Sequence, residues 1–432
     1  MILPTPYIPS LWAATATPLQ AFSVLEGEHS TDLVVIGGGF AGLSAALHAA
    51  GKGMSCMVLE ANHVGFGGSG RNGGLVSGKF RASFQSVMAA YGRDAALQLY
   101  AFGKQAVDCV ERLVGEFDMT DAQFSRSGYI TAAHSPAAMQ GLHAGLDWLE
   151  VVAGDRSTTR LDAEETAAAL GTPSYLGGVF NAYAGQLHPL NYVRGLARAA
   201  SGAGVQIFEH SSVHTITEHG DRVEIVSERG RITTKQVLLA TDAYSNLTKA
   251  TKGLAHSIVP FRSSIIATAP LSSAIAGSIL PCGAVAADTK RLLRWYRKVG
   301  NRLVFGGRGA FDQDNSAVAF ARLYRQMQDI FPQTQGQQIE YSWSGLVAMT
   351  LDYLPHIKRS GDRVMIAAGF NGSGVAAATY AGVCAADLLT GGRPELGILQ
   401  SLAFNPIPVY GLVDPGVRMV TAYYQLLDAW NL

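Results

Sequence analysis

Three glycines and one acid near the start of the chain form its most specific chemical pattern. Gly37, Gly39 and Gly42 have the spacing GxGxxG, and Glu60 follows them by about 20 residues. The first glycine permits a tight turn, the second lets the backbone approach a pyrophosphate, and the third lets a helix pack against a strand. A carboxylate placed like Glu60 hydrogen-bonds the ribose hydroxyls of a dinucleotide and repels a 2′-phosphate, so the pattern disfavours NADP.

A strand–turn–helix–strand unit must position these residues, and the surrounding sequence predicts one. Residues 33–36 are apolar and mostly β-branched, which is typical of a strand buried on both faces. A helix is predicted from about Ala41 to Ala50, with its first N–H groups directed at the phosphates. Residues 56–59 form the second predicted strand. A glycine turn in another kind of α/β protein would explain the glycines, but it would leave Glu60 unexplained.

A second glycine-rich segment, GFGGSGRNGG at residues 65–74, follows at once. Successive glycine N–H groups can converge on an anionic oxygen, and Arg71 can add a fixed positive charge. An arginine on an ordinary surface loop is the alternative interpretation. The glycines on both sides of Arg71 favour the ligand-binding role.

The bulk composition excludes several classes of function. The chain has 432 residues, no net charge and 15% charged residues, so it offers no basic stripe for nucleic acid. No run approaches the ~18 apolar residues of a transmembrane helix. Its cysteines lack metal-ligand spacing, and they are Cys56, Cys109, Cys282 and Cys384. We therefore expect no metal, no transmembrane segment and a reduced, cytoplasmic setting.

Buried-strand patterns recur in three separated parts of the chain, at residues 33–36, 237–241 and 364–368. The dinucleotide domain is therefore predicted to be discontinuous. Strand-rich segments between residues 255 and 350 predict a second, mainly antiparallel domain with helices, and the fold class is α/β. The predicted division is 31–80, 190–250 and 355–400 for the first domain, 81–189 and 251–354 for the second, 1–30 for an irregular lead-in and 401–432 for a C-terminal extension.

Six motifs, which run in the same order over nearly the whole chain, resemble one known family. They are VVIGGGFAGLSAALHAA (34–50), VLEANHVGFGGSGRNGG (58–74), HPLN (188–191), NRLVFGGRG (301–309), SWSGLVAMTLDYLPHI (342–357) and AAGFNGSGVAAATYAG (367–382). The chain resembles the DAO-type FAD-dependent oxidoreductases, the family of D-amino acid, glycine and sarcosine oxidases. Within that family it is similar to the branch of gamma-glutamylputrescine oxidoreductases and L-pipecolate oxidases.

The resemblance implies that FAD is the cofactor, and it assigns FAD contacts to four groups of residues. The ADP half is expected at Gly37, Gly39, Phe40, Ala41, Gly42, Glu60 and Ala61. The pyrophosphate and flavin edge are expected at Gly68, Ser69, Gly70, Arg71, Asn72, Gly73, Gly74 and Leu75. The adenine end is expected at Val213, Ala240 and Thr241. The flavin is expected at Gly369, Asn371, Gly372, Ser373, Gly374 and Val375. Gly345 stands where some members of the family carry a FAD-linking cysteine, so we expect noncovalent FAD.

The GFNGSG turn at residues 369–374 opens a predicted helix. If the N-terminus of this helix points at the flavin, its dipole stabilises the negative charge of the reduced form. A C-terminal helix that only packs on the sheet is the alternative.

The substrate side of the site has weaker signals. In RLLRWYRK, strand alternation places Arg294 and Tyr296 on one face and Arg291, Trp295 and Arg297 on the other. An arginine that faces a pocket can clamp a carboxylate, and Arg294 and Arg308 are the candidates, with Tyr296 beside Arg294. A solvated edge strand is the alternative for this segment.

Three further residues are weaker candidates. His188, held extended before a proline, is a candidate at the mouth of the site, although a loop or capping histidine is the commoner case. Trp343 and Met349 are candidate pocket walls, with core packing as the alternative.

The resemblance implies FAD-dependent oxidation of the C–N bond of a small-molecule amine or amino acid. Hydride goes to flavin N5, an imine forms, and O2 reoxidises the flavin and gives H2O2. One alternative is a dehydrogenase that passes electrons to a quinone or a carrier protein. Another is a noncatalytic flavin- or NAD-binding protein, although NAD alone would leave the two later glycine loops unexplained. The several arginines of the strand domain favour a carboxylated substrate over a free polyamine.

Overall fold

The computed structural model describes residues 7–308 and 317–429. The strands within this part are β1 Gly27–Ile36, β2 Cys56–Leu59, β3 Leu75–Val76, β4 Tyr129–Ala132, β5 Thr158–Leu161, β6 Gly178–Asn181, β7 Gly185–Gln186, β8 Gln206–Phe208, β9 Val213–His219, β10 Arg222–Ser227, β11 Gly230–Leu239, β12 Val259–Thr268, β13 Val285–Asp288, β14 Arg294–Val299, β15 Arg302–Arg308, β16 Ile339–Met349, β17 His356–Arg359 and β18 Val364–Ala368.

The α-helices in the same part of the chain are α1 Leu11–Thr15, α2 Phe40–Gly51, α3 Phe84–Tyr91, α4 Arg93–Glu116, α5 Pro136–Val151, α6 Ala163–Leu170, α7 Pro189–Gly202, α8 Lys252–Ala255, α9 Ser273–Ser278, α10 Ala317–Ile330, α11 Gly374–Leu389, α12 Ile398–Ser401 and α13 Val413–Ala429. None of these helices is long and apolar enough to cross a membrane.

The first sheet combines strands from the early, middle and late parts of the chain. Its order is β17-β18-β11-β1-β2-β8, and β10 and β9 extend it from β11. The pairs that join β18, β11, β1, β2 and β8 are parallel. Val35, near the carboxyl end of β1, lies opposite Val58 of β2 and Leu238 of β11. This is the parallel, Rossmann-like core that the apolar runs predict.

The last four residues of β1, residues 33–36, are buried on both faces of the sheet, which explains why this run is apolar. Leu33 and Val35 pack into a core with helices α2, α7 and α11. Val34 and Ile36 pack on the other face, against residues of β9, β10 and β11. Because both faces of the sheet are covered, the polar ends of the strands are the places where it can meet a ligand.

The second sheet is mostly antiparallel, and its order is β16-β12-β15-β14-β13-β4-β6-β5. Only β13 and β4 pair in parallel among the neighbouring strands described in this sheet. One face carries a core that includes Tyr296, Phe305 and Phe331, together with Leu323 and Met327 of α10. The α/β fold class, with a discontinuous parallel sheet and a mainly antiparallel second sheet, is confirmed. The domain boundaries stay a prediction.

The N-terminal lead-in is more ordered than the sequence suggests. Helix α1 lies within it, and β1 already begins at Gly27, which pairs with Gly230. Trp12 of α1 is fully buried and donates from its indole nitrogen to the carbonyl oxygen of Asn72 at 2.9 Å. The lead-in therefore supports the second glycine-rich loop.

Candidate cofactor and substrate cleft

A cleft of about 460 Å³ lies between the two sheets, within the size range of ligand pockets. The loops that follow β1, β2, β11 and β18 line it on the side of the first sheet. Side chains of β4, β12, β13, β14 and β16 line it on the side of the second sheet. Both sheets therefore contribute to one site, at the carboxyl ends of the parallel strands.

The GxGxxG turn forms a backbone cradle that side chains would fill. Gly37 has a φ of +115°, and a Cβ there would lie 2.7 Å from the carbonyl oxygen of Ala240. A Cβ on Gly42 would lie 2.0 Å from the carbonyl oxygen of Gly37, and a Cβ on Gly39 would lie 2.8 Å from Ser69 Oγ. The close approach of these groups requires glycine at each position.

Glu60 is held at the end of β2 by the turn that it faces. Its Oε2 accepts a hydrogen bond from the Gly38 N–H at 2.8 Å, and its Oε1 accepts one from the Asn62 N–H at 2.9 Å. Burial raises the pKa of this carboxyl, although the backbone N–H groups oppose the shift. The side chain lines the cleft in a fixed position, as ribose recognition requires.

The second glycine-rich loop is held mainly by its own side chains. Asn72 donates from Nδ2 to the carbonyl oxygens of Gly68 (3.1 Å) and Ser69 (2.8 Å), and its Oδ1 accepts from the Gly74 N–H at 2.7 Å. Ser69 Oγ accepts from the N–H of Phe40, the first residue of α2, at 3.0 Å. Ser69 therefore ties the two glycine-rich loops together, and Asn72 fixes the shape of the second.

Arg71 of the same loop keeps its charge close to the cleft. Its Nε donates to the carbonyl oxygen of Phe66 at 2.6 Å, and its guanidinium lies over the Phe66 ring at 4.4 Å. Burial lowers the pKa of Arg71, and the neighbouring Arg262 acts in the same direction. No carboxylate pairs with Arg71 among the described residues. The positive charge is thus available to an anionic ligand.

Residues of β14 in the second sheet also hold the second glycine-rich loop in place. Arg297 donates from Nη1 to the carbonyl oxygens of Gly73 (3.0 Å), Gly74 (3.2 Å) and Leu187 (2.7 Å). Trp295 packs on Gly73, where a Cβ would lie 2.5 Å from the indole ring. Burial lowers the pKa of Arg297, and the three carbonyl dipoles compensate its charge. Arg297 is therefore a positioning residue for the loop.

The third glycine-rich loop joins β18 to α11. Gly369 has a φ of +80° and donates its N–H to Asp242 Oδ1 at 2.8 Å. Asn371 accepts at Oδ1 from the Thr350 N–H at 2.9 Å, and its own N–H donates to the Ala348 carbonyl oxygen at 2.9 Å. These contacts place the N-terminus of α11, at Gly374, on the wall of the cleft.

Most residues that the family resemblance assigns to FAD lie on the cleft. These lining residues are Gly37, Gly39, Phe40, Ala41, Glu60, Ala61, Gly68, Ser69, Arg71, Asn72, Gly73, Leu75, Val213, Ala240, Thr241, Gly345, Asn371, Gly372, Ser373, Gly374 and Val375. Four of the predicted glycines do not line the cleft but lie in the layer of residues behind it. In each of them a Cβ would clash with the backbone or with a neighbouring side chain; they are Gly42, Gly70, Gly74 and Gly369.

The predicted substrate residues are mostly placed elsewhere. Arg294 forms an ion pair with the buried Asp288 and does not line the cleft. Tyr296 is fully buried between Phe305 and Phe331, because it lies on the core face of β14. Trp295 faces the cleft instead. Sequence alternation separates the two faces of β14 correctly, but the face that meets the cleft is the one opposite to Arg294 and Tyr296.

Of the remaining candidates, His188 and Trp343 make contacts that support the fold. His188 caps α7, since its Nδ1 accepts from the Asn191 N–H at 3.1 Å, and burial lowers its pKa to about 4. It does not line the cleft. Trp343 is fully buried and contacts the Arg71 backbone. The Arg308 side chain lies outside the part of the chain that the structure describes.

Four charged residues of the cleft were not predicted from the sequence: Lys79, Arg81, Asp242 and Asp288. Lys79 and Arg81 lie in an irregular loop, and a single lysine or arginine in a loop has no periodic signal. Asp242 directly follows a predicted buried strand, so its place at a strand end was a usable signal.

No cysteine or histidine lines the cleft within residues 7–308 and 317–429. Cys56, Cys109 and Cys384 are buried in the core, and Cys282 is exposed. A Cβ on Gly345 would lie 3.1 Å from the Arg71 side chain, so this position is close to the loop. These observations favour noncovalent FAD.

The three loops together distinguish between possible dinucleotides. NAD would use the first glycine turn and Glu60 but would leave the other two glycine-rich loops without a ligand. The cleft therefore has the features of a FAD-binding oxidoreductase.

Comparison with known proteins agrees with this class. The model of the family "FAD dependent oxidoreductase" (DAO) matches residues 32–388, and the chain belongs to this family. It is 34% identical over 410 residues to the probable oxidoreductase OrdL of Haemophilus influenzae, covering 94% of this chain and 93% of that protein. It is 30% identical over 430 residues to the gamma-glutamylputrescine oxidoreductase of Escherichia coli, covering 98% and 99%.

Solved structures show the same fold. Glycine oxidase from Geobacillus kaustophilus superposes with a TM-score of 0.73 at 20% identity, over 85% of this chain and 96% of that one. L-proline dehydrogenase from P. horikoshii superposes with a TM-score of 0.72 at 22% identity, over 87% and 96%.

Proposed function

We propose that this protein oxidises the C–N bond of an amine or amino acid with FAD as the hydride acceptor. The observation that carries the proposal is the composition of the cleft. One wall consists of the three glycine-rich loops, and the other consists of side chains from the antiparallel sheet. A small substrate can therefore lie between a flavin and the second sheet. The similarity to a gamma-glutamylputrescine oxidoreductase over almost the full length of both chains supports an amine substrate.

The residues of the chain would act mainly by placement and by charge. When bound, FAD would supply the hydride acceptor of the reaction, and O2 is the proposed final electron acceptor, with H2O2 as its product. The N-terminus of α11 presents unpaired N–H groups and the positive end of its dipole to the cleft. This end of the helix would stabilise negative charge on a reduced cofactor.

Substrate amines are mostly protonated at neutral pH and lose hydride only in the neutral form. Histidine, a common general base, does not line the described cleft, and the carboxyl of Asp288 is paired with Arg294. The carboxyls of Glu60 and Asp242, which also line the cleft, accept hydrogen bonds from backbone N–H groups of the cofactor loops. We infer that the substrate binds as the neutral amine, so that the protein needs no dedicated base. The imine product is then hydrolysed or remains as a cyclic imine.

The experiment is anaerobic reduction of the purified holoprotein. Visible flavin absorption should bleach with amino acids or gamma-glutamyl amines, and the rate of bleaching should rise with pH according to ionisation of the substrate amine. A bleaching rate whose pH dependence does not follow ionisation of the substrate amine would contradict binding of the neutral amine. A yellow protein that no amine or amino acid bleaches would contradict the proposed reaction.

Readmission of air then identifies the electron acceptor. Rapid return of the absorption, with one H2O2 formed for each substrate oxidised, is the expected result for an oxidase. Slow return in air and fast return with a quinone would instead identify a dehydrogenase. The fold does not separate the two, since the neighbours named glycine oxidase and L-proline dehydrogenase superpose almost equally well.

A further inference from the structure

Two cationic side chains enter the cleft from the loop between β3 and α3. Lys79 and Arg81 both line it. Arg71 also lines the cleft, but it belongs to the glycine-rich cofactor loop. Two arginines of β14, Arg294 and Arg297, are already occupied. Arg294 is paired with Asp288, and Arg297 donates to three backbone carbonyls of the cofactor loop. Among the described residues, this loop therefore carries the cations that remain for a substrate.

Lys79 reaches across to the second sheet. Its Nζ donates a hydrogen bond to Thr131 Oγ1 and lies 4.7 Å from the centre of the Tyr129 ring. Both residues belong to β4 and line the cleft. Within the described chain, no carboxylate forms an ion pair with this ammonium group. Lys79 thus has a hydroxyl and an aromatic face as neighbours, but no counterion.

Lys104 provides a comparison, because it has a similar aromatic neighbour and also a counterion. Lys104 also lies over a tyrosine ring, 3.3 Å from the centre of Tyr183, but its Nζ is 3.7 Å from the carboxylate of Asp155. Lys104 does not line the cleft. Of these two lysines, Lys79 lines the cleft and lacks a carboxylate counterion among the described residues.

Removing an ammonium group from water without a counterion is unfavourable. The cost is recovered when a ligand brings a carboxylate to the same place, because charge-assisted hydrogen bonds are the strong ones. Lys79 donates one of its three N–H groups to Thr131, so two can serve a ligand. Arg81 lies over the Tyr353 ring at 5.5 Å and adds a second positive charge to this wall.

We propose that Lys79 binds a carboxylate of the substrate, with Arg81 reinforcing the positive potential, so that the protein selects amines that also carry a carboxylate. The proposal deepens the proposed function and rests on it for the nature of the reacting group. It excludes a free polyamine as the preferred substrate, because a diamine would bring a second positive charge to Lys79.

The charge of Lys79 is sensitive to pH in the working range. Burial lowers the pKa of its ammonium group to about 8. Binding of a carboxylate should therefore be strong near pH 7 and weaken as the pH of the free enzyme rises through about 8. In a Lys79→Arg variant the guanidinium stays charged, so the affinity should persist to about pH 10.

The test uses the holoenzyme and two probes of the same shape, butyrate and butyramide, titrated by the change in the flavin spectrum. The wild type should bind butyrate about ten-fold or more tighter than butyramide. Lys79→Met should abolish this preference while leaving the affinity for butyramide within about two-fold. Lys79→Arg should keep the preference, and the control Lys104→Met should match the wild type.

Two results would overturn the proposal. One is a wild type that binds both probes equally, and the other is a Lys79→Met holoenzyme that retains the preference for butyrate. A merely structural role for Lys79 would weaken both probes together, and Thr131→Val would then reproduce the effect. Failure of the proposed function is seen separately, as a flavin that no amine bleaches, because the two probes report binding without turnover.

Discussion

The indole Nε1 of Trp343 donates a hydrogen bond to the carbonyl oxygen of Arg71 at 2.9 Å. Trp343 belongs to β16 of the second sheet and is fully buried, whereas Arg71 belongs to the glycine-rich loop of the cofactor domain. This contact crosses from one sheet to the other directly behind the cleft. The shape of the cofactor loop therefore depends on a residue that cannot touch the cofactor from its buried position.

Replacement of Trp343 by Phe should weaken FAD binding. The substitution leaves the buried Arg71 carbonyl without its donor, which costs about 1–3 kcal/mol, so we expect the Kd for FAD to rise by about ten-fold or more. Fluorescence titration of the FAD-depleted protein measures this Kd. Trp148→Phe is the matched control, because the Trp148 indole donates to Met88 Sδ outside the cleft. An unchanged Kd for Trp343→Phe would contradict the proposed support of the loop.

Two glycines of helix α2 should respond in opposite ways to alanine. A Cβ on Gly42 would lie 2.0 Å from the Gly37 carbonyl oxygen, so Gly42→Ala must move the helix away from the turn. We expect a loss of about 2–4 kcal/mol in stability and a large loss of FAD affinity. A Cβ on Gly51 meets nothing within 4 Å. Gly51→Ala should leave FAD binding unchanged and raise stability by up to about 1 kcal/mol, as thermal unfolding would show.

Replacement of Arg294 should reduce stability more than substrate affinity. Arg294→Met leaves the buried Asp288 carboxylate unpaired, which costs about 3–5 kcal/mol. The double variant Asp288→Asn with Arg294→Met removes the orphaned charge and should recover part of the loss. Urea unfolding of both variants measures this difference. A KM that rises strongly in Arg294→Met without loss of stability would show instead that Arg294 contacts the substrate.

Asp242 should make stability depend on pH in the acidic range. Burial raises the pKa of its carboxyl from 3.8 to about 6. Between these values the folded protein binds more protons than the unfolded chain, so the free energy of unfolding falls as the pH rises through this window. The side chain of Asp242→Asn does not titrate, so this variant does not lose stability in the window. From pH 4 to pH 7, the free energy of unfolding of Asp242→Asn should increase by about 2–3 kcal/mol relative to that of the wild type. Thermal unfolding at saturating FAD, compared at both pH values, tests the sign.

The parts of the site that sequence predicts best are those made of backbone. Gly37 and Glu60 have fixed spacing because the strand, turn and helix between them have fixed lengths. The same holds for the loop that leads into α11, where the glycines precede a regular helix. Local geometry determines such positions, so they can be derived without the rest of the chain.

Side chains on the second sheet could not be placed in this way. Each face of β14 carries an arginine and an aromatic residue, Arg294 with Tyr296 and Arg297 with Trp295. Alternation divides them into two faces, but packing of α10 and of Phe305 decides which face becomes the core. Lys79 was missed for a related reason, since its importance arises from a cleft formed by strands far away in sequence.

The strand order of the first sheet also bears on how the protein is made. Strands β1 and β2 and the first glycine turn leave the ribosome early, but β18 and α11 complete the cleft and cover α2 only near the end of synthesis. At roughly 5–20 residues per second, the nascent chain exposes the apolar face of α2 for tens of seconds. The complete FAD-binding cleft can therefore form only when translation is nearly finished.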